Sequence, residues 1–151
     1  MKYTVFTLAL SFSLLACKKD SSTADTSSQQ ISSADWKYDT GGIGDANGNI
    51  IFNFPAGTIP TCTLDNTIHF NSDGTGTVAE NATVCPGTPA TSNFTWSFST
   101  DQKLLNVSAG AVAGIGGSFK IKELSSTKFT LLKDTTITGV GSATMVVSLK
   151  H

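Results

Sequence analysis

From Trp36 onward apolar and polar residues alternate along this chain, most plainly at Phe94, Trp96 and Phe98, which are separated by Thr95 and Ser97. A period of two sends successive side chains to opposite faces of a strand, so each run has one apolar face and one polar face. The pattern recurs at Ile50, Phe52 and Phe54, at Ile68 and Phe70, at Phe119 and Ile121, at Phe129 and Leu131, and at Met145, Val147 and Leu149. Turn-forming residues part the runs. Asp73-Gly74 follows Phe70, Thr100-Asp101-Gln102-Lys103 follows Phe98, and Ser125-Ser126-Thr127 follows Leu124. No stretch combines a helical period with capping residues. About eight or nine short strands joined by tight turns predict an all-β fold, an antiparallel up-and-down barrel or strongly curved sheet.

Two segments leave the pattern open. Ser108 to Ser118, rich in Gly and Ala, suits either a mobile flap over a barrel mouth or a strand that small residues allow to bend sharply, so barrel closure there is undecided. Asp45, Asn47 and Asn49 copy the opening of a calcium loop, but Ile50 stands where glycine is required and Ala56 where a bidentate glutamate belongs. Gly41 to Asn49 is therefore expected to be a flexible hairpin loop, with no metal assigned.

The N-terminus obeys different rules. Lys2 precedes an apolar run from Tyr3 to Leu15, shorter than the roughly 20 residues a membrane span needs and of signal-peptide length. The run ends in Leu14-Leu15-Ala16-Cys17, which resembles the lipobox of bacterial lipoproteins. That resemblance implies cleavage before Cys17, acylation of Cys17 and attachment to a membrane. Lys18-Lys19-Asp20 carries no clear inner-membrane retention signal, which favours the outer membrane of a bacterial envelope. Residues 18–33, half Ser and Thr with one isoleucine, are expected to form a flexible tether spanning about 20–25 Å. The expected organisation is a signal peptide at 1–16, a lipidated tether at 17–33 and one β domain at 34–151.

Composition narrows the partners. Ten lysines, no arginine and eleven acidic residues leave a net charge of −1. Without the guanidinium fork such a chain is poorly equipped to grip phosphates, which argues against nucleic acid. With Cys17 assigned to lipid, Cys62 and Cys85 remain as an even pair in an exported protein and are expected to form a disulfide. Closing that loop of about 24 residues constrains the unfolded chain by about 3 kcal/mol.

Trp36, the block Cys62-Thr63-Leu64-Asp65-Asn66-Thr67-Ile68-His69-Phe70, the turn Asp73-Gly74-Thr75, Cys85, Trp96-Ser97-Phe98 before Asp101, and Leu124-Ser125-Ser126-Thr127-Lys128-Phe129 occur in an order that resembles the bacterial lipocalin-like domain lipoproteins. The resemblance covers Trp36 to the C-terminus. It implies a lipocalin-like antiparallel barrel whose interior can hold an apolar molecule, and it brings no catalytic residues.

Candidate chemistry is sparse. His69, between Ile68 and Phe70, is expected to point outward. No G-x-S-x-G, G-x-G-x-x-G or P-loop occurs, and the aspartates fall mostly at turns. Neither an enzyme nor a bound cofactor is expected. Phe52, Phe54, Phe70, Phe94, Trp96, Phe98, Phe119 and Phe129 are the residues open to two functions: lining a cup for a small apolar ligand, or filling the barrel of a structural or protein-interaction module. Cys17→Ala is expected to abolish palmitate labelling and leave the leader uncleaved. Recovery of unlabelled wild-type protein in the soluble fraction would remove the lipoprotein reading.

Overall fold

The computed structural model describes residues 22–139 and 141–151. The leader and Cys17 lie outside the described residues. Among those described, α1 (Ser22–Ser32) precedes β1 (Trp36–Gly44) and β2 (Ile50–Asn53), and the four-residue α2 (Thr61–Leu64) precedes β3 (Thr67–Phe70) and β4 (Thr75–Ala79). The remaining strands are β5 (Thr91–Phe98), β6 (Leu104–Val112), β7 (Ile115–Leu124), β8 (Lys128–Ile137) and β9 (Gly141–Lys150). From β3 to β9 each strand pairs antiparallel with the next, and β1 pairs with both β3 and β9. Eight strands thus close into a barrel, as the alternation predicts.

The closure is uneven. β1 meets β9 along nearly its whole length, from Lys37↔Lys150 to Gly44↔Thr144. Against β3 it makes only two pairs, Trp36↔Ile68 and Lys37↔Thr67. Farther along the same edge of β1, β2 takes over at Gly42↔Asn53 and Ile43↔Phe52. β2 is therefore a ribbon added to β1, not a barrel stave.

That placement corrects the expectation for Phe52, a residue 69% exposed next to Ile51 at 59%. The alternation is present, but neither face of a ribbon outside the barrel meets the core. Phe54 returns: its N–H donates to the Gly41 carbonyl (3.0 Å), and its ring is half-buried against the core cluster. The other expected inward residues are inside. Phe70, Phe94, Trp96, Phe119 and Phe129 are buried, and Phe98 is half-buried at the rim with its ring centre 5.4 Å from that of Trp96. Phe70 makes edge-to-face contacts with Phe94, Trp96 and Phe129, a preferred arrangement of ring quadrupoles. Gly76 makes room for this packing: a Cβ there would lie 2.2 Å from the Phe94 ring.

The flexible tether expected at 17–33 lies outside the described residues up to residue 21, and over the rest the structure differs from that expectation. Residues 22–32 are helical, and Ile31 is fully buried within the core cluster. Helix propensity is weak in this Ser/Thr-rich stretch, so tertiary contact supplies the order. The Trp36 indole N–H donates to the Ile31 carbonyl at 2.8 Å, satisfying one of the carbonyls a helix leaves unpaired at its C-terminus. α1 thus caps the barrel end where β1 begins.

Gly41–Gly44, expected in a flexible loop, belong to β1, and Asp45 closes the remaining turn. Its carboxylate accepts from the N–H groups of Asn47 and Asn49 and from the Asn49 amide, at 2.9–3.0 Å. The hairpin folds over the outer face of β7, β8 and β9, where Lys122 of β7 donates to the Gly48 carbonyl (2.8 Å) and Leu132 and Val146 are buried. Ser108–Ser118 is strand on both sides of a tight turn at Ala113-Gly114, with φ of 48° and 78° and Val112 paired to Ile115. Positive φ at both turn residues suits the twist of a two-residue hairpin. The ladder slips between Val107 and Val112, so the segment bends and stays in the wall.

Hydrogen bonds from Thr75 hold the Asp73 carboxyl below the usual range, and those from the Ser99 hydroxyl and the Lys103 N–H do the same for Asp101. A lowered folded pKa gives stability above the unfolded value that is lost as pH falls through the folded one. These turns therefore weaken in acid.

Ile31→Ala is expected to destabilise the domain by about 2–5 kcal/mol, the usual cost of truncating a buried aliphatic residue. An unchanged denaturant midpoint would mean that α1 is not part of the core.

Candidate functional site

The barrel is filled at the α1 end and hollow at the other. Strand direction places the start of β5, the end of β4 and the β6–β7 turn together at this second end, around a cavity of about 280 Å³. Its apolar wall is Ile68, Val78, Phe94 and Ala111, and its polar wall includes Tyr38, Asn66, Glu80 and Ser92. Gly110, Ala111, Ala113 and Gly114 form one side. Large side chains there would fill the space, so the small residues of this segment leave it open. Grooves of about 530–590 Å³ on the outer surface are larger but lie open to solvent.

A polar network roofs the cavity. Cys62 of α2 is bonded to Cys85 in the β4–β5 loop, with Cα atoms 5.1 Å apart, as expected for the pair. Glu80 follows Gly76 and Val78 at the same parity, which brings its side chain to the cavity side of β4. One carboxylate oxygen accepts from the Asn66 amide and the other from the Cys85 N–H, both at 2.8 Å. Because a carboxylate only accepts, the Asn66 amide nitrogen must face Glu80 and Oδ1 must point elsewhere. Asn66 is 6% exposed, and its Oδ1 has no hydrogen-bond partner among the described residues. Asp65 Oδ1 is likewise buried and unpartnered, while its Oδ2 accepts from the Thr83 N–H at 3.0 Å. Unpaired buried oxygens of this kind cost about 1–3 kcal/mol each. Burial, then the nearby Asp39 carboxylate, raises the Tyr38 hydroxyl above its ordinary pKa.

Of the eight aromatic candidates only Phe94 lines the cavity. Phe70, Trp96, Phe119 and Phe129 are packed core, and Phe52 is on the outer surface. His69 faces outward, its Nδ1 2.8 Å from Asp35 Oδ1 and both side chains substantially exposed, so it stands apart from the cavity. The polar wall is the part that the alternation of large apolar residues does not reveal. A signal existed at Glu80, a charged residue two positions beyond Val78 on the inward parity.

No model of a known protein family matches the chain, and no curated protein matches it either.

Reducing the Cys62–Cys85 bond is expected to lower stability by about 2–5 kcal/mol and to shift the amide resonances of Glu80 and Asn66 more than those of the α1 end. Free thiols in natively folded, oxidised protein would remove the staple from the description of the site.

Proposed function

We propose that this protein is a non-enzymatic, lipocalin-like lipoprotein of the bacterial envelope that binds a small, largely apolar molecule at the open end of its barrel. The observation that carries the reading is the cavity itself: one half of the interior is packed with aromatic rings, yet the other half keeps about 280 Å³ under a stapled roof. Ligand pockets commonly measure about 300–1,000 Å³, so the space suits a molecule of one or two rings better than a sterol. Of the candidate aromatics, Phe94 supplies the ring that contacts the ligand, and Phe70, Trp96, Phe119 and Phe129 hold the barrel rigid.

A second reading has its own observation. Ile51 and Phe52 are exposed on opposite faces of the β2 ribbon, which suits an edge that inserts between surfaces of another envelope protein.

The two readings part experimentally. Titration of the purified protein with indole, benzyl alcohol or a similar neutral aromatic is expected to shift the amide resonances of Val78, Phe94 and Ala111 saturably, and Val78→Phe is expected to abolish the shifts. If no compound perturbs these amides while Phe52→Ser prevents recovery of an envelope protein crosslinked to β2, the cavity reading falls and the interaction reading replaces it.

A further inference from the structure

The charge around the cavity is one-sided, and this selects among ligands that would fit by size. Glu80 is the single formally charged residue among the described lining residues. Its two hydrogen bonds come from neutral donors, an amide and a backbone N–H, so neither neutralises it. A carboxylate has about four acceptor sites, and two are in use here. The Asn66 Oδ1, a neutral amide oxygen on the same wall, receives no hydrogen bond from the described residues, which leaves a second acceptor open to an N–H donor. The Tyr38 hydroxyl is held in its neutral form by burial and by Asp39, while Asp39 is paired with Lys150 at 2.7 Å.

The inward cation of β8 lies elsewhere. Lys133 sits 4.9 Å from the centre of the Phe119 ring and donates to the Gly116 carbonyl, and it is not part of the cavity wall. An anionic head group in the cavity would lose its hydration and face Glu80 without a counter-charge. A protonated amine would lose hydration too, but it gains charge-assisted hydrogen bonds to a carboxylate in a partly enclosed site.

We propose that the cavity takes small organic amines in their protonated form, the ammonium against Glu80 and the apolar body against Phe94, Val78 and Ala111. This rests on the cavity being a binding site, and it names the class of ligand: a compact aromatic or branched aliphatic amine, not a fatty acid.

Three probes of nearly equal shape test it, 2-phenylethylamine, 2-phenylethanol and 3-phenylpropanoate, each titrated into the full protein at neutral pH with the amides of the cavity wall as reporters. The amine is expected to bind about tenfold tighter than the alcohol, the scale of one hydrogen bond to a charged group, and the carboxylate to bind most weakly. Glu80→Gln is expected to remove the preference of amine over alcohol. Should that variant unfold, Ser92→Lys decides, because Ser92 is at the exposed edge of the cavity and a lysine there supplies the missing counter-charge without disturbing the roof. Equal binding of amine and alcohol, tighter binding of the carboxylate, or a preference that survives both variants overturns the amine assignment and leaves the cavity reading standing. If none of the three probes moves the cavity amides, the binding site itself is refuted and the assignment falls with it.

Discussion

Trp36 occupies the point where the sheet meets itself. It is the first residue of β1, paired with Ile68 of β3 across the shortest ladder in the barrel. Its indole N–H holds the last turn of α1 through the Ile31 carbonyl, its face packs near Phe129, and the ring of His151 stands against it edge-on with ring centres 4.4 Å apart. One fully buried side chain therefore ties together the entry of the domain, its exit and its narrowest seam. Filling such a site is worth about 3–5 kcal/mol, a large share of the roughly 5–15 kcal/mol that ordinarily separates a folded domain from its unfolded chain.

The two ends of the barrel divide the work by side-chain size. Toward α1, rings interlock edge to face and leave no room. Toward the β6–β7 turn, Gly and Ala take over, and the wall retreats from the axis. The vacated volume requires a roof, which neither β4 nor β5 can provide from within the ladder. α2 and the loop after β4 supply it, held by one covalent bond and by Glu80 reaching to Asn66 and Cys85. Structure and candidate chemistry share residues here, so the carboxylate that organises the roof also gives the chamber its charge.

Much of the architecture was legible in the alternation, because a barrel wall with one wet face and one dry face prints a period of two directly into the sequence. Phe70, Phe94, Trp96, Phe119 and Phe129 follow from that rule alone. Phe52 does not, since alternation marks a strand without saying whether that strand belongs to the wall or lies outside it. Ile31 was hidden for the opposite reason: a single apolar residue in a polar stretch carries no period, and its burial depends on a groove formed by distant strands. The candidate site was the least legible part. Asn66 and Glu80 lie 14 residues apart, and only the pairing of β3 with β4 brings them together. The disulfide could be inferred because its evidence, an even pair of cysteines behind a leader-like N-terminal run, needs no geometry.

The order in which these contacts can form follows from their separation along the chain. β3 through β9 are joined to their neighbours by successive local hairpins, so each ladder can zip once its own turn has closed. The β1–β9 ladder is different. Lys37 must find Lys150, and that encounter carries the loop-closure entropy of nearly the entire domain. High contact order slows folding, and until the last ladder zips, β9 and β1 both present bare edges of the kind that pair with other chains. Sealing the barrel is thus the slow and vulnerable step in the life of a newly made chain, and the local staple between Cys62 and Cys85 does nothing to shorten it.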